Sequence, residues 1–187
     1  MTKSIIGTLF IASVSVAALA WSFGVVELVA TALMRTFVFY IGKKVVDFEE
    51  RVSLITDNVI TSRIFETDSG KFKFVDSQKC VFREKIQLFS FRIHTPFSLK
   101  GCVEFKNGTA KIEGRLPVGA TLFFCMWLVR WATGCIGASI QGEGSMLSLL
   151  MLLFGWGVAA LMYFPSVALE RKRLLVVYDE MKQHLRN

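Results

Sequence analysis

VGATLFFCMWLVRWATGCIGASI, residues 118–140, runs through the short QGEGS (141–145) into MLSLLMLLFGWGVAALMYFPSVAL (146–169), and this pair of stretches decides the fold. The first carries a single charge, Arg130, and the second carries none. A run of about 18 or more apolar residues is long enough to cross a hydrocarbon core of roughly 30 Å as a helix. Val118–Ile140 and Ser145–Leu169 therefore read as a transmembrane helical hairpin, with Pro165 placed to kink or end the second helix.

Working outward, the N-terminal run from Ser4 to Met34 has Glu27 as its only charge. One helix from Ser4 to Gly42 would measure about 58 Å, too long for a single crossing. Three readings follow: one long helix that crosses once and projects, a tight hairpin turning at Trp21-Ser-Phe-Gly24, or a signal peptide cleaved after Ala18-Leu-Ala20. Lys3 alone is a weak basic start, and the apolar run continues well past Ala20, both of which count against cleavage. Lys43 and Lys44, Arg115, and Arg171-Lys-Arg173 flank the spans. With one crossing before Lys43 they fall on one side, the cytoplasm by the positive-inside rule.

Between the apolar ends, Ile41, Val45, Phe48, Val52, Ile55 and Val59 repeat at 4-3-4-3-4, the face of a helix leaving the membrane. The period then drops to two. Phe72 and Phe74 alternate with Lys71 and Lys73, and Phe89, Phe91 and Ile93 alternate with polar residues. Asn107-Gly108 marks a two-residue hairpin turn. Four or five antiparallel strands are expected. After Leu169, the stripe Leu174, Val177, Tyr178, Met181 and Leu185 predicts a terminal amphipathic helix, lying on the inner leaflet or against the sheet. The whole reads as an α+β membrane protein with three spans: an N-terminal segment over 4–42, a cytoplasmic helix and β-rich domain over 43–117, the hairpin over 118–169, and the terminal helix over 170–187.

Two motifs in the strand region carry a resemblance. Pro96-Phe-Ser-Leu-Lys-Gly101-Cys-Val103 is followed by Gly108-Thr-Ala-Lys-Ile112-Glu-Gly114-Arg-Leu, which runs directly into an apolar span. Over residues 82–127, about a quarter of the chain, this resembles a group of uncharacterised small bacterial membrane proteins with a β-rich domain before a transmembrane segment. The resemblance implies an architecture and no activity; the location expected for the chain is the bacterial inner membrane.

The formal net charge of +7 is dispersed. Residues 43–115 hold 14 Lys/Arg against 10 Asp/Glu, with no dense basic stripe, so nucleic acid is not an expected partner. Cys80, Cys102, Cys125 and Cys135 form no CxxC and meet only two histidines, so neither metal nor cofactor is expected. They read as buried thiols in a reducing compartment. Gly142-Glu-Gly144 is a turn rather than a phosphate loop, and the Asn107-Gly-Thr109 sequon is explained by the hairpin. His94 and Cys102 lack a third orienting group, so no catalytic residues are expected.

Arg130 is the sharpest local feature, since a charge at the centre of a span costs about 2.5–3.5 kcal/mol. Glu27 is the carboxylate available in another apolar run. Pairing the two would put the first span at roughly Val16–Val38. Gly134 and Ala138, like Gly155 and Ala159, are small pairs that let helices approach, within the hairpin or in a homo-oligomer. The function expected is a non-enzymatic interaction or structural module in the plasma membrane. Its partners are the lipid bilayer and a protein docking on residues 43–115. The alternative is a small subunit of a transport or channel complex that uses Arg130 and Glu27.

Overall fold

A computed structural model describes residues 2–52, 63–85, 98–140 and 145–186. The chain divides into two compact units, one formed by Val26–Val118 with Ser166–Asn187 and the other by Met1–Val25 with Gly119–Pro165.

Among the described residues, the first unit is built on a six-stranded antiparallel sheet. Its strands are β1 (Lys43–Arg51), β2 (Ile64–Glu66), β3 (Gly70–Phe74), β4 (Lys79–Glu84), β5 (Lys100–Lys106) and β6 (Thr109–Leu116). Their order is β1-β6-β5-β4-β3-β2. The β5–β6 hairpin closes at Asn107-Gly108 as expected, with φ of 52° and 74°, the left-handed pair that a tight two-residue turn requires. β4 lacks alternation because both its faces are covered: Cys80, Val81, Phe82 and Arg83 are all buried. A strand enclosed on both sides reads as a continuous run. The strand expected around Phe89–Ile93 lies outside the described residues.

One expectation fails here. The stretch after Ile41 is not a helix but strand β1, paired with β6 from Lys43↔Leu116 to Arg51↔Thr109. A register shift between Lys44 and Val46 breaks the two-residue alternation. The apolar residues on either side of the bulge thereby mimic a helical spacing. Ile55 and Val59 lie outside the described residues.

The same face of the sheet carries the cross-strand row Val46–Gly114–Gly101–Phe82–Phe72–Phe65. The two facing glycines leave a trough: a Cβ on Gly101 would lie 2.4 Å from the Phe82 ring, and one on Gly114 would lie 2.6 Å from Leu174. Of the stripe expected at the C-terminus, Leu174, Val177, Tyr178 and Met181 are buried and Leu185 is half-buried. Val177 packs over Gly70, Tyr178 against the Phe82 and Phe48 rings, and Met181 Sδ at 3.6 Å from Cys80 Sγ. The stripe therefore lies on the sheet, each side chain contributing about 1.5–3 kcal/mol by burial. Glu180 accepts from the Ser69 N–H, and Lys182 pairs with Glu50, which fixes the register at the helix edges.

Helix α1 spans Thr2–Ala32 and is continuous through Trp21–Gly24, so the tight-hairpin reading is replaced. It ends well before Gly42. Met34 takes a positive φ of 52°, and a short helix α2 (Thr36–Phe39) leads into β1. Met34, Val38 and Phe39 are buried on the second face of the sheet against Val81 and Cys102. That face is covered by α2 where the first is covered by the terminal helix.

In the other unit, α3 (Val118–Ile140) and the first part of α4 (Ser145–Arg186) form the expected antiparallel pair. Trp131 lies on Gly155 and Phe124 on Tyr163, contacts symmetric about residues 141–144. A Cβ on Gly24 would sit 3.6 Å from Gly119 Cα, so α1 and α3 meet through glycines. The second arm of the hairpin and the terminal helix, expected as separate elements, are one helix of 42 residues. Pro165 lies inside it and does not end it, its missing N–H removing one bond from the ladder. Among the described residues, three helices are long and apolar enough to cross a membrane, with candidate segments Val14–Ala32, Val118–Ile140 and Met146–Leu185.

Candidate functional site

The most constrained chemistry in the molecule lies where three elements of the sheet unit converge: the end of α1, the start of β5 and the start of α3. Glu27 stands five residues before the end of α1, and its side chain is 5% exposed. Lys100 opens β5 and is 1% exposed. Its ammonium donates to Glu27 Oε1 and also, at 2.7 Å, to the carbonyl of Val38 in α2. The same Glu27 oxygen accepts the backbone N–H of Val118, the first residue of α3, at 3.0 Å. A helix start leaves N–H groups without intrahelical partners and carries partial positive charge, so a carboxylate is well placed there. One oxygen thus answers a lysine and caps a helix from a distant part of the chain.

The surroundings are cationic. Antiparallel register sets Lys44, Arg115, Lys100, Arg83 and Lys71 side by side across five strands, with Glu66 ending the row. Directly opposed residues project from the same face of a sheet. Each cation is answered differently. Arg115 and Lys44 share Glu113, and Lys71 pairs with Glu66. Arg83 is buried and donates at 3.0 Å to the carbonyl of Ala32, the last residue of α1, and at 2.9 Å to that of Glu84. It thereby closes the negative end of the α1 dipole. Its Nε, like that of Arg115, has no hydrogen-bond partner.

Burial pushes the Lys100 ammonium below the ordinary lysine range; the Glu27 carboxylate works against this, and the charge of Arg115 adds to it. Burial likewise lowers Arg83. Burial pushes Glu113 up, but hydrogen bonds from Lys44 and Arg115 outweigh it and hold the carboxyl below its usual range. The arrangement holds charge in fixed positions and ties α1, α2, β5 and α3 together. Among the described residues, no three of His, Cys, Asp and Glu are grouped to hold a metal.

The residues expected from sequence are distributed as follows. Glu27 has its cation in Lys100, 73 positions away, a partner the sequence reading did not name. Arg130 lies on α3 in the other compact unit, where the Thr133 hydroxyl donates to its carbonyl at 3.1 Å. Gly155 lies beneath Trp131, and Ala159 is buried. Gly134 has nothing within 4 Å of a would-be Cβ, and Ala138 is half-buried. The second small pair therefore packs more closely than the first. Cys80, Cys102 and Cys135 are free and buried, and Cys125 is exposed. His94 lies outside the described residues. Lys100 gave no local signal, since one lysine beside Gly101 reads as the polar half of a strand alternation.

Comparison with protein-family models, curated proteins and solved structures finds no match.

Proposed function

We propose that this protein is a non-enzymatic, membrane-integral module that holds a small β-domain at the cytoplasmic face of a bacterial inner membrane for a protein partner. Three helices of spanning length and apolar character support the membrane assignment. The basic flanks at Lys43, Lys44, Arg115 and Arg171–Arg173 support the orientation. The likeness to small bacterial membrane proteins belongs to the same proposal.

The observation that carries the partner reading is the uneven cover of the sheet. The terminal helix seals one face, and Met34, Val38 and Phe39 seal one end of the other. Farther along that second face, Glu49, Lys111 and Glu104 sit side by side and exposed, next to Arg51 and Lys106. A rigid sheet with an alternating acidic and basic row offers a partner a pattern of charge, and such patterns govern specificity and encounter more than raw affinity. The Glu27–Lys100 tie keeps that surface fixed relative to the chain entering α3.

A photo-crosslinking residue at Lys111 of the full chain in cells tests this. The proposal expects one discrete adduct, lost when Glu49 and Glu104 are changed to lysine. Adducts arising instead from positions on α3 or α4 would favour the transport-subunit reading.

A further inference from the structure

The segment between α1 and β1 is built in two layers. Its inner side chains, Met34, Val38 and Phe39, are buried on the sheet. Its outer ones are large, apolar and exposed: Leu33 at 60%, Phe37 at 62%, Tyr40 at 41% and Ile41 at 45%. Four such residues within nine positions are not scattered surface. Among the described residues of this unit outside α1 and α4, Ile64 is the one other large apolar side chain so exposed. Arg35 and Lys43 are exposed within and beside the cluster, and neither has a carboxylate partner among the described residues. The backbone beneath is held firmly, because Lys100 grips the Val38 carbonyl and Arg83 the Ala32 carbonyl.

We infer that Leu33–Lys43 is an interfacial collar that lies in the headgroup layer of the bilayer, with Leu33, Phe37, Tyr40 and Ile41 in the lipid boundary and Arg35 and Lys43 on anionic lipid phosphates. The occupant follows from position and charge. The candidate span Val14–Ala32 ends one residue before Leu33, so a chain leaving the membrane there enters the headgroup layer at once. Aromatic rings with polar tips, apolar side chains and basic residues are the composition that this layer selects. A protein partner would have to displace lipid from the end of a span to reach the same surface. The inference rests on the membrane-integral reading proposed above, and its test separates the two.

The full chain, carrying Cys125→Ser, is reconstituted in phosphatidylcholine vesicles with and without phosphatidylglycerol. Nitroxide labels are placed singly at Phe37→Cys, Leu161→Cys and Lys106→Cys, and their collisions with oxygen and with a water-soluble nickel chelate are compared. The collar predicts that the label at 37 favours oxygen and reads shallower than the label at 161, while the label at 106 favours nickel. A label at 161 in lipid with the label at 37 in water would overturn the collar and leave the membrane reading intact. A label at 161 in water would overturn both. In the second arm, Arg35→Gln with Lys43→Gln should reduce phosphatidylglycerol retained on the purified protein. The expected loss is about fivefold for each charge, the factor corresponding to about 1 kcal/mol per basic residue near an anionic surface. Unchanged retention would overturn the assignment of these two cations to lipid phosphates.

Discussion

Replacing Glu27 with Gln tests the buried tie, and the structure sets both the size and the pH dependence of the effect. Glutamine keeps an oxygen for the Val118 N–H but removes the charge that Lys100 faces at 1% exposure. Breaking a buried pair by neutralising one member typically costs about 3–5 kcal/mol. Lys100 is flanked in register by Arg83 and Arg115, and among the described residues Glu27 is the carboxylate that acts on it, so the cost belongs at the upper end. The lysine can escape by releasing its proton. From an ordinary value of 10.5, doing so at pH 7 costs about 5 kcal/mol, which is a ceiling on the loss. The sign follows. With the folded value depressed, the unfolded chain binds more protons up to pH 10.5, so the variant regains stability as the pH rises, and the ceiling falls to about 2 kcal/mol at pH 9. Lys100→Met should cost less, about 3 kcal/mol, because the Val118 N–H still donates to the Glu27 carboxylate. The double variant should recover much of the loss, with a coupling of about 2–3 kcal/mol. Denaturant unfolding in mild detergent, followed by circular dichroism at pH 7 and pH 9, measures all of this. Additive singles, or a Glu27→Gln deficit that does not shrink at pH 9, would refute the reasoning.

Three further outcomes are expected. Gly108→Val places a β-branched residue at φ 74° and should destabilise the sheet domain by more than about 1 kcal/mol, although a Cβ there would meet only the Val52 carbonyl at 4.0 Å; unchanged protease resistance would count against the turn. Gly155→Leu drives a side chain into Trp131 and should cost about 1–3 kcal/mol in detergent melting, whereas Gly134→Ala should be nearly neutral because nothing lies within 4 Å of its Cβ. Since the Glu113 carboxyl is held below its ordinary value of 4.5, its stabilising contribution is present above that pH and lost as the pH falls below it; Glu113→Gln should flatten that part of the acid-unfolding curve.

The elements that depend on local pattern were legible in the residues. The α3–α4 pair follows from two long apolar runs separated by the short QGEGS stretch, the β5–β6 hairpin from Asn107-Gly108, and the sheet-facing stripe of the terminal helix from its spacing. Elements set by distant partners were not. β1 read as a helix because one bulge after Lys44 disrupts the alternation that β6 imposes. β4 showed no alternation because α2 and the terminal helix cover both its faces. The continuity of α4 through Pro165 could not be read from a residue that usually ends helices. The site was half visible: Glu27 stood out as a charge in an apolar run, yet its lysine is placed by strand register. Arg130 has the more conspicuous position in the sequence, whereas Lys100 is one lysine among many in the strand region.

Topology is the claim on which the rest depends. Cys80 and Cys102 are buried, so their protection from reagents would say nothing about sidedness. The direct measurement is a cysteine introduced at exposed Lys106, in a Cys125→Ser background, probed with an impermeant maleimide on intact cells and again after permeabilisation. A domain on the cytoplasmic side predicts no labelling before permeabilisation and full labelling after it. Equal labelling of intact cells, with a cytoplasmic control protein still protected, would contradict the account.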